Sequence, residues 1–143
     1  MKKYFLIAST LLISLLFSCN QAAKKEVSSN ASQMEVVMNI HDEAMLDMGK
    51  ISRLVAELRK KLDADQGTAK HKKAMEDLQD AHKGMMDWMQ GFGKNFDSEE
   101  ILDGKALPPE KQLLLDKEEE KVNIVKEKIN SSIARAEELL KVN

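Results

Sequence analysis

The sequence predicts an all-α fold, an antiparallel three-helix bundle of coiled-coil character behind a signal peptide, and three observations predict it. Apolar residues recur at alternating spacings of four and three through three long segments, the pattern of one buried stripe on each of three helices. Charged residues make up 32% of the chain and aromatics 4%, which suits helices with solvated outer faces and an aliphatic, methionine-rich core. The strongest breaking signals, DADQGT and GFGKNFDSEEILDGKALPP, fall between those segments. The chain has 143 residues, room for one domain of ordinary size.

The first element is an export signal. MKK supplies a positive start, and Tyr4 to Phe17 form an apolar stretch of fourteen residues, shorter than the roughly 20 that span a bilayer as a helix. Residues 1–18 therefore read as a signal peptide. It ends LLFSC, which resembles the lipobox of bacterial lipoproteins, in which the cysteine is lipidated and becomes the mature N-terminus. Cys19 is the only cysteine, so an internal disulfide is excluded, and lipid attachment accounts for an unpaired thiol in an exported chain. More than one acyl chain, palmitate among them, would give stable anchoring. Residues 19–32 are polar and small and are expected to be a flexible, lipid-anchored tether. The helical domain is expected over 33–143.

Its first helix is predicted over about 33–64, with a seam of Val37, His41, Ala44, Met48, Ile51, Val55, Leu58 and Leu62. Met34, Met38, Met45 and Leu54 widen that stripe. Asp65, Gly67 and Thr68 supply a turn and an N-cap. A second helix over about 68–93 carries His71, Met75, Leu78, His82, Met85, Met89, Phe92 and Phe96 at the same spacing. SEEIL has the makings of one short helical turn. Pro108 and Pro109 then start a third helix, about 108–141, where a missing N–H costs nothing. Its seam is Val122, Val125, Ile129, Ile133, Ala136 and Leu140, and Glu118 and Glu119 interrupt it, which predicts looser packing there. An up-down-up arrangement follows, the first two helices forming a tight hairpin.

The spacing His-x-x-x-Met-x-x-Met occurs twice, as His41, Met45, Met48 and as His82, Met86, Met89. Antiparallel pairing about a turn near residues 65 and 66 would set His41 level with Met89, Met45 with Met86 and Met48 with His82, related by a local pseudo-twofold. Met85 and Trp88 flank the same level. Thioether and imidazole donors in this set select Cu(I) over hard cations, and an indole face nearby could interact with such a cation. The simpler reading, preferred because methionine stripes at helical spacing are more often core, is that these residues pack. Heptad periodicity alone favours the spacing. A b-type haem held by one His and one Met is a weaker alternative.

Other chemistries find no support. There is no Glu-x-x-His pair for a di-iron bundle, no His-Glu-x-x-His, no Cys-x-x-Cys-His, no glycine-rich phosphate loop and no nucleophile elbow. Basic and acidic residues are interleaved at a net charge of -2, so no basic face recommends nucleic acid. The run DKEEEK, Asp116 to Lys121, reads as the solvated side of a helix, with Glu118 to Lys121 as an intrahelical pair.

The segments HDEAMLDMGKISRLVAELRKKLD, AMEDLQDAHKGMMDWMQGFG and FDSEEILDGKAL, with the glutamate-rich final helix, resemble small Bacteroidetes lipoproteins often called viral A-type inclusion proteins. That resemblance covers nearly all of the mature domain and implies an anchored, helical envelope protein, with no viral role and no catalytic residues to carry over. Surface-exposed lipoproteins of that type tend to carry acidic residues just after the cysteine. Here Asn20, Gln21, Ala22, Ala23 and Lys24 follow it, which favours a periplasm-facing anchor in the outer membrane. The expected function is non-enzymatic: a structural or interaction module held to the membrane by lipid and meeting an envelope protein partner. The alternative is Cu(I) or soft-metal binding through His41, Met45, Met48, His82, Met86 and Met89.

Overall fold

The computed structural model describes the backbone of residues 21–141 and the side chains of residues 33–141. The signal segment 1–18 and Cys19 lie outside the described residues. Among the described residues five helices follow in order: α1 (Gln21–Met45), α2 (Met48–Asp63), α3 (Ala69–Asn95), α4 (Ser98–Leu102) and α5 (Pro109–Lys141). Strands are absent among the described residues. The fold is an all-α bundle of three columns: α1 with α2, then α3, then α5.

Side-chain bridges give the directions. Gln33 donates to Asp116 and Glu119 at 3.0 and 2.8 Å, Glu43 pairs with Lys126, and Lys50 pairs with Glu137 at 2.9 Å. Numbers rise together, so the first column runs parallel to α5. Trp88 meets Glu118 and Asp77 meets Arg135, so α3 runs against α5, as the up-down-up reading requires.

The first column departs from expectation at both its start and its middle. α1 begins at Gln21, so residues 21–32, expected as a tether, are helical. Polarity suggested a coil, but from Gln21 to Met45 the chain has no Pro or Gly, and its Ala, Lys, Glu and Gln residues are strong helix formers. The column is then interrupted at Leu46 and Asp47, where one unbroken helix was expected. Leu46 N–H is shared between the carbonyls of Asp42 and Glu43, both at 3.3 Å, and Asp47 N–H reaches Ala44 at 3.1 Å, a one-turn tightening of the helical ladder. Asp47 and Gly49 are weak helix formers. The break falls where the column changes partner, since α1 packs against α5 and α2 chiefly against α3.

The α2–α3 hairpin closes as its turn residues require. Asp65 takes a left-handed conformation with φ 55°, and Gly67 lies so close to Leu62 that a Cβ would come within 2.8 Å of its Cα. Thr68 caps α3, donating its N–H to His71 Nδ1 at 3.1 Å with its hydroxyl 2.9 Å from the same nitrogen. A histidine thus occupies the place usual for Glu or Gln in a capping box. α4 carries the ordinary version: Glu100 N–H donates to Asp97 at 2.9 Å, Asp97 N–H returns to Glu100 at 2.8 Å, and Lys111 donates to both oxygens of the buried Glu100 at 2.8 and 2.6 Å. This junction turns the chain from α3 into α5.

The core corrects two seams. α3 buries His71, Ala74, Leu78, Ala81, Met85, Trp88 and Phe92, so Ala74, Ala81 and Trp88 take the inward places expected for Met75, His82 and Met89. α3 is the middle column, packed on α2 and on α5, and its buried stripe is centred between them. On α5, Glu118 is buried in line with Leu115 and Val122, and Lys121 bonds its carboxylate at 2.7 Å. The interruption expected there is a continuous buried row. Glu119, half-buried, holds Gln33 of α1, so the acidic run is not simply a solvated face.

Candidate functional site

The structure separates the residues of the two His-x-x-x-Met-x-x-Met copies into different surroundings. His41, on α1, stacks on Trp88 of α3 with ring centroids 5.6 Å apart and planes 30° apart. Its Nδ1 lies 2.9 Å from the Asp42 carboxylate, and its Nε2 is buried without a hydrogen-bond partner. A carboxylate beside one ring nitrogen favours the proton there, which leaves a lone pair on the buried one.

Trp88 is itself fixed. Its indole N–H donates to the Glu118 carbonyl at 3.3 Å. Its ring begins a row along α3: Phe92 follows at 4.8 Å between centroids, and Phe96 at 4.8 Å from Phe92. Lys111 Nζ closes the row 5.9 Å from the Phe96 ring. His41 therefore stands at one end of a packed aromatic ladder and a cation at the other. Spacings of four between Trp88, Phe92 and Phe96 were the signal for that ladder in the sequence, but His41 joins it from another helix.

Met45 and Met48 are half-buried against the core. On α3, Met85 is fully buried, whereas Met86 and Met89 are each 37% exposed. His82 borders a shallow groove with Gln79 and with Ile51, Ser52 and Val55 of α2, beyond the level of Met48 where it was expected. The break at Leu46 and Asp47 also falls inside the first copy, between Met45 and Met48, while the second lies on continuous helix. The two copies are thus not equivalent, and the expected pseudo-twofold is lost. Among the described residues, no group of three or more His, Cys, Asp and Glu side chains could hold a metal ion.

Other surface features are apolar. Leu46 is 85% exposed on the turn between α1 and α2. Val36, Leu102 and Leu113 are exposed toward the end where α1 meets the α4 junction. No described helix is long and apolar enough to cross a membrane.

No family model, curated protein or solved structure matches the chain.

Proposed function

We propose that the chain is a non-enzymatic envelope lipoprotein, anchored through Cys19 in the outer membrane and facing the periplasm, whose bundle serves as a structural and protein-interaction module. The observation that carries the interaction role is exposed apolar surface: Leu46, on the α1–α2 turn, is 85% exposed, and Met86 and Met89 on α3 are each 37% exposed. A turn that interrupts a long helix and directs a leucine into solvent suits a contact with another protein. Exposed methionines add a soft, adaptable rim able to accept apolar side chains of varied shape. The lipobox-like LLFSC and the resemblance to small Bacteroidetes lipoproteins support the anchor and the compartment.

A photo-crosslinking residue placed at Leu46 or Met89 should capture a discrete partner in intact cells. The adduct should disappear in a Leu46→Glu, Met86→Glu chain whose circular dichroism and unfolding midpoint are unchanged. A smear or no adduct from both positions would contradict the interaction role. The anchor is tested apart from it: Cys19→Ser should abolish lipid labelling and membrane retention, and retained labelling would remove the premise.

A further inference from the structure

We propose that His41 Nε2, with the thioethers of Met45 and Met85, forms a Cu(I) site closed on one side by the Trp88 ring. The ligand set differs from the one the repeated spacing suggested, and it rests on a buried ring nitrogen that makes no hydrogen bond. His41 Nε2 is buried and unpartnered while Nδ1 is held by Asp42 at 2.9 Å. A histidine that binds a metal commonly has its other nitrogen bonded to a carboxylate, which fixes the ring and raises the basicity of the ligating nitrogen. An unsatisfied buried acceptor is destabilising, and a bound cation would offset that.

The two sulfurs follow from helix geometry. Met45 lies four residues after His41 at the end of α1, on the same helix face. Met85 lies three residues before Trp88 on α3, again on one face, and because α3 runs against α1 it is displaced from Trp88 in the direction in which Met45 is displaced from His41. His41 and Trp88 are the observed contact between the columns, and in the proposed site Met45 and Met85 approach it from one side, one on each column. α1 runs close to α5 rather than to α3 at backbone level, so long side chains bridge this gap. One imidazole and two thioethers are soft to borderline donors that suit Cu(I) and disfavour hard cations. The indole face supplies cation–π attraction in a partly desolvated setting. Met86, Met89 and His82 have no part in the site: the first two point toward solvent, and His82 belongs to the α2 groove.

The chain has one tryptophan, and it is the one against His41, so copper bound there should quench the whole indole emission. The experiment is an anaerobic titration of the full-length Cys19→Ser chain in detergent micelles with Cu(I), in competition with a chromogenic chelator and with Trp emission followed. The serine removes the only thiol, a stronger copper ligand than any in the site. The expected result is one equivalent bound with quenching. Both should vanish in His41→Phe, which keeps the ring stack, and fall at least ~10-fold in Met45→Leu and in Met85→Leu, changes that conserve volume. Asp42→Asn, at a side chain 69% exposed, cannot unfold the bundle and should weaken binding ~10–100-fold. Met86→Leu with Met89→Leu should leave both signals intact. The proposal is overturned by no competition, by binding without quenching, or by binding that survives His41→Phe or Asp42→Asn and is lost in the Met86, Met89 pair.

Discussion

The segments from His41 to Met48 and from His82 to Met89 share one spacing of histidine and methionine, yet they differ in nearly every physical respect. The first begins with a half-buried imidazole stacked on Trp88 and is cut by a turn before its last methionine. The second runs along unbroken helix and leaves Met86 and Met89 half in solvent. The difference comes from their neighbours. α1 packs on α5, whereas α2 packs chiefly on α3 and keeps a smaller contact with α5, so the first copy spans a change of main partner; the second sits on the middle column, where the buried stripe belongs to Met85 and Trp88. Identical spacing therefore sets which residues share a helix face, and packing decides which face is inside.

The sharpest way to separate the two environments is truncation on adjacent α3 positions. Met85→Ala removes a side chain with no exposed surface and should cost about 2–5 kcal/mol, whereas Met86→Ala should change stability by about 0.5 kcal/mol or less. Urea unfolding of both variants measures this. Equal effects would erase the distinction between the copies.

The hairpin that sets their relative level comes next. Thr68→Ala deletes the hydroxyl beside His71 Nδ1 and should cost about 1 kcal/mol, visible as a lower urea midpoint with an unchanged slope. A null effect would mean that the His-containing cap contributes nothing to α3.

Restoring helix in the first copy should have a smaller effect of opposite sign. A Cβ at Gly49 would meet nothing within 4 Å, so Gly49→Ala should stabilise by about 0.5–1 kcal/mol through helix propensity. A destabilised variant would mean that the break needs glycine's freedom.

The smallest effects lie at the ends of the columns, outside both copies. Hydrogen bonding by the Glu100 N–H, with Lys105 and Lys111 nearby, holds the Asp97 carboxyl below its ordinary 3.8. The Lys50 hydrogen bond holds Glu137 below 4.5. Because both are lowered on folding, their contribution is present above those ordinary values and is lost as pH falls through the lowered ones. Stability should therefore decline modestly below about pH 4.5 by this linkage, and Asp97→Asn should flatten part of that decline in a pH series of unfolding midpoints. An unchanged acid limb would remove Asp97 from the account.

The fold was legible because its signals are local and redundant: seams at four and three, a cap at Thr68, and Pro109 opening α5. The surroundings of the candidate site were not. On α3 the seams through Met75, His82, Met89 and through Ala74, Ala81, Trp88 share His71, Leu78, Met85 and Phe92, and periodicity cannot choose between them when a helix packs on two neighbours. The break at Leu46 and Asp47 contains no proline, and Gly49 beyond it reads equally as a tolerated glycine. Glu118 reads as solvated because its burial depends on Lys121 reaching back across one turn and on Trp88 packing over its backbone.

On α3, Met85 and Trp88 turn into the core while Met86 and Met89 are partly exposed to solvent. Dilute peroxide footprinting of the folded full-length chain, read residue by residue by mass spectrometry, tests all three thioethers at once, because oxidation to the sulfoxide follows exposure. Met86 and Met89 should oxidise well ahead of Met85, with Met85 catching up only when the chain is unfolded. Oxidation of Met85 at the rate of Met86 in the folded protein would contradict it.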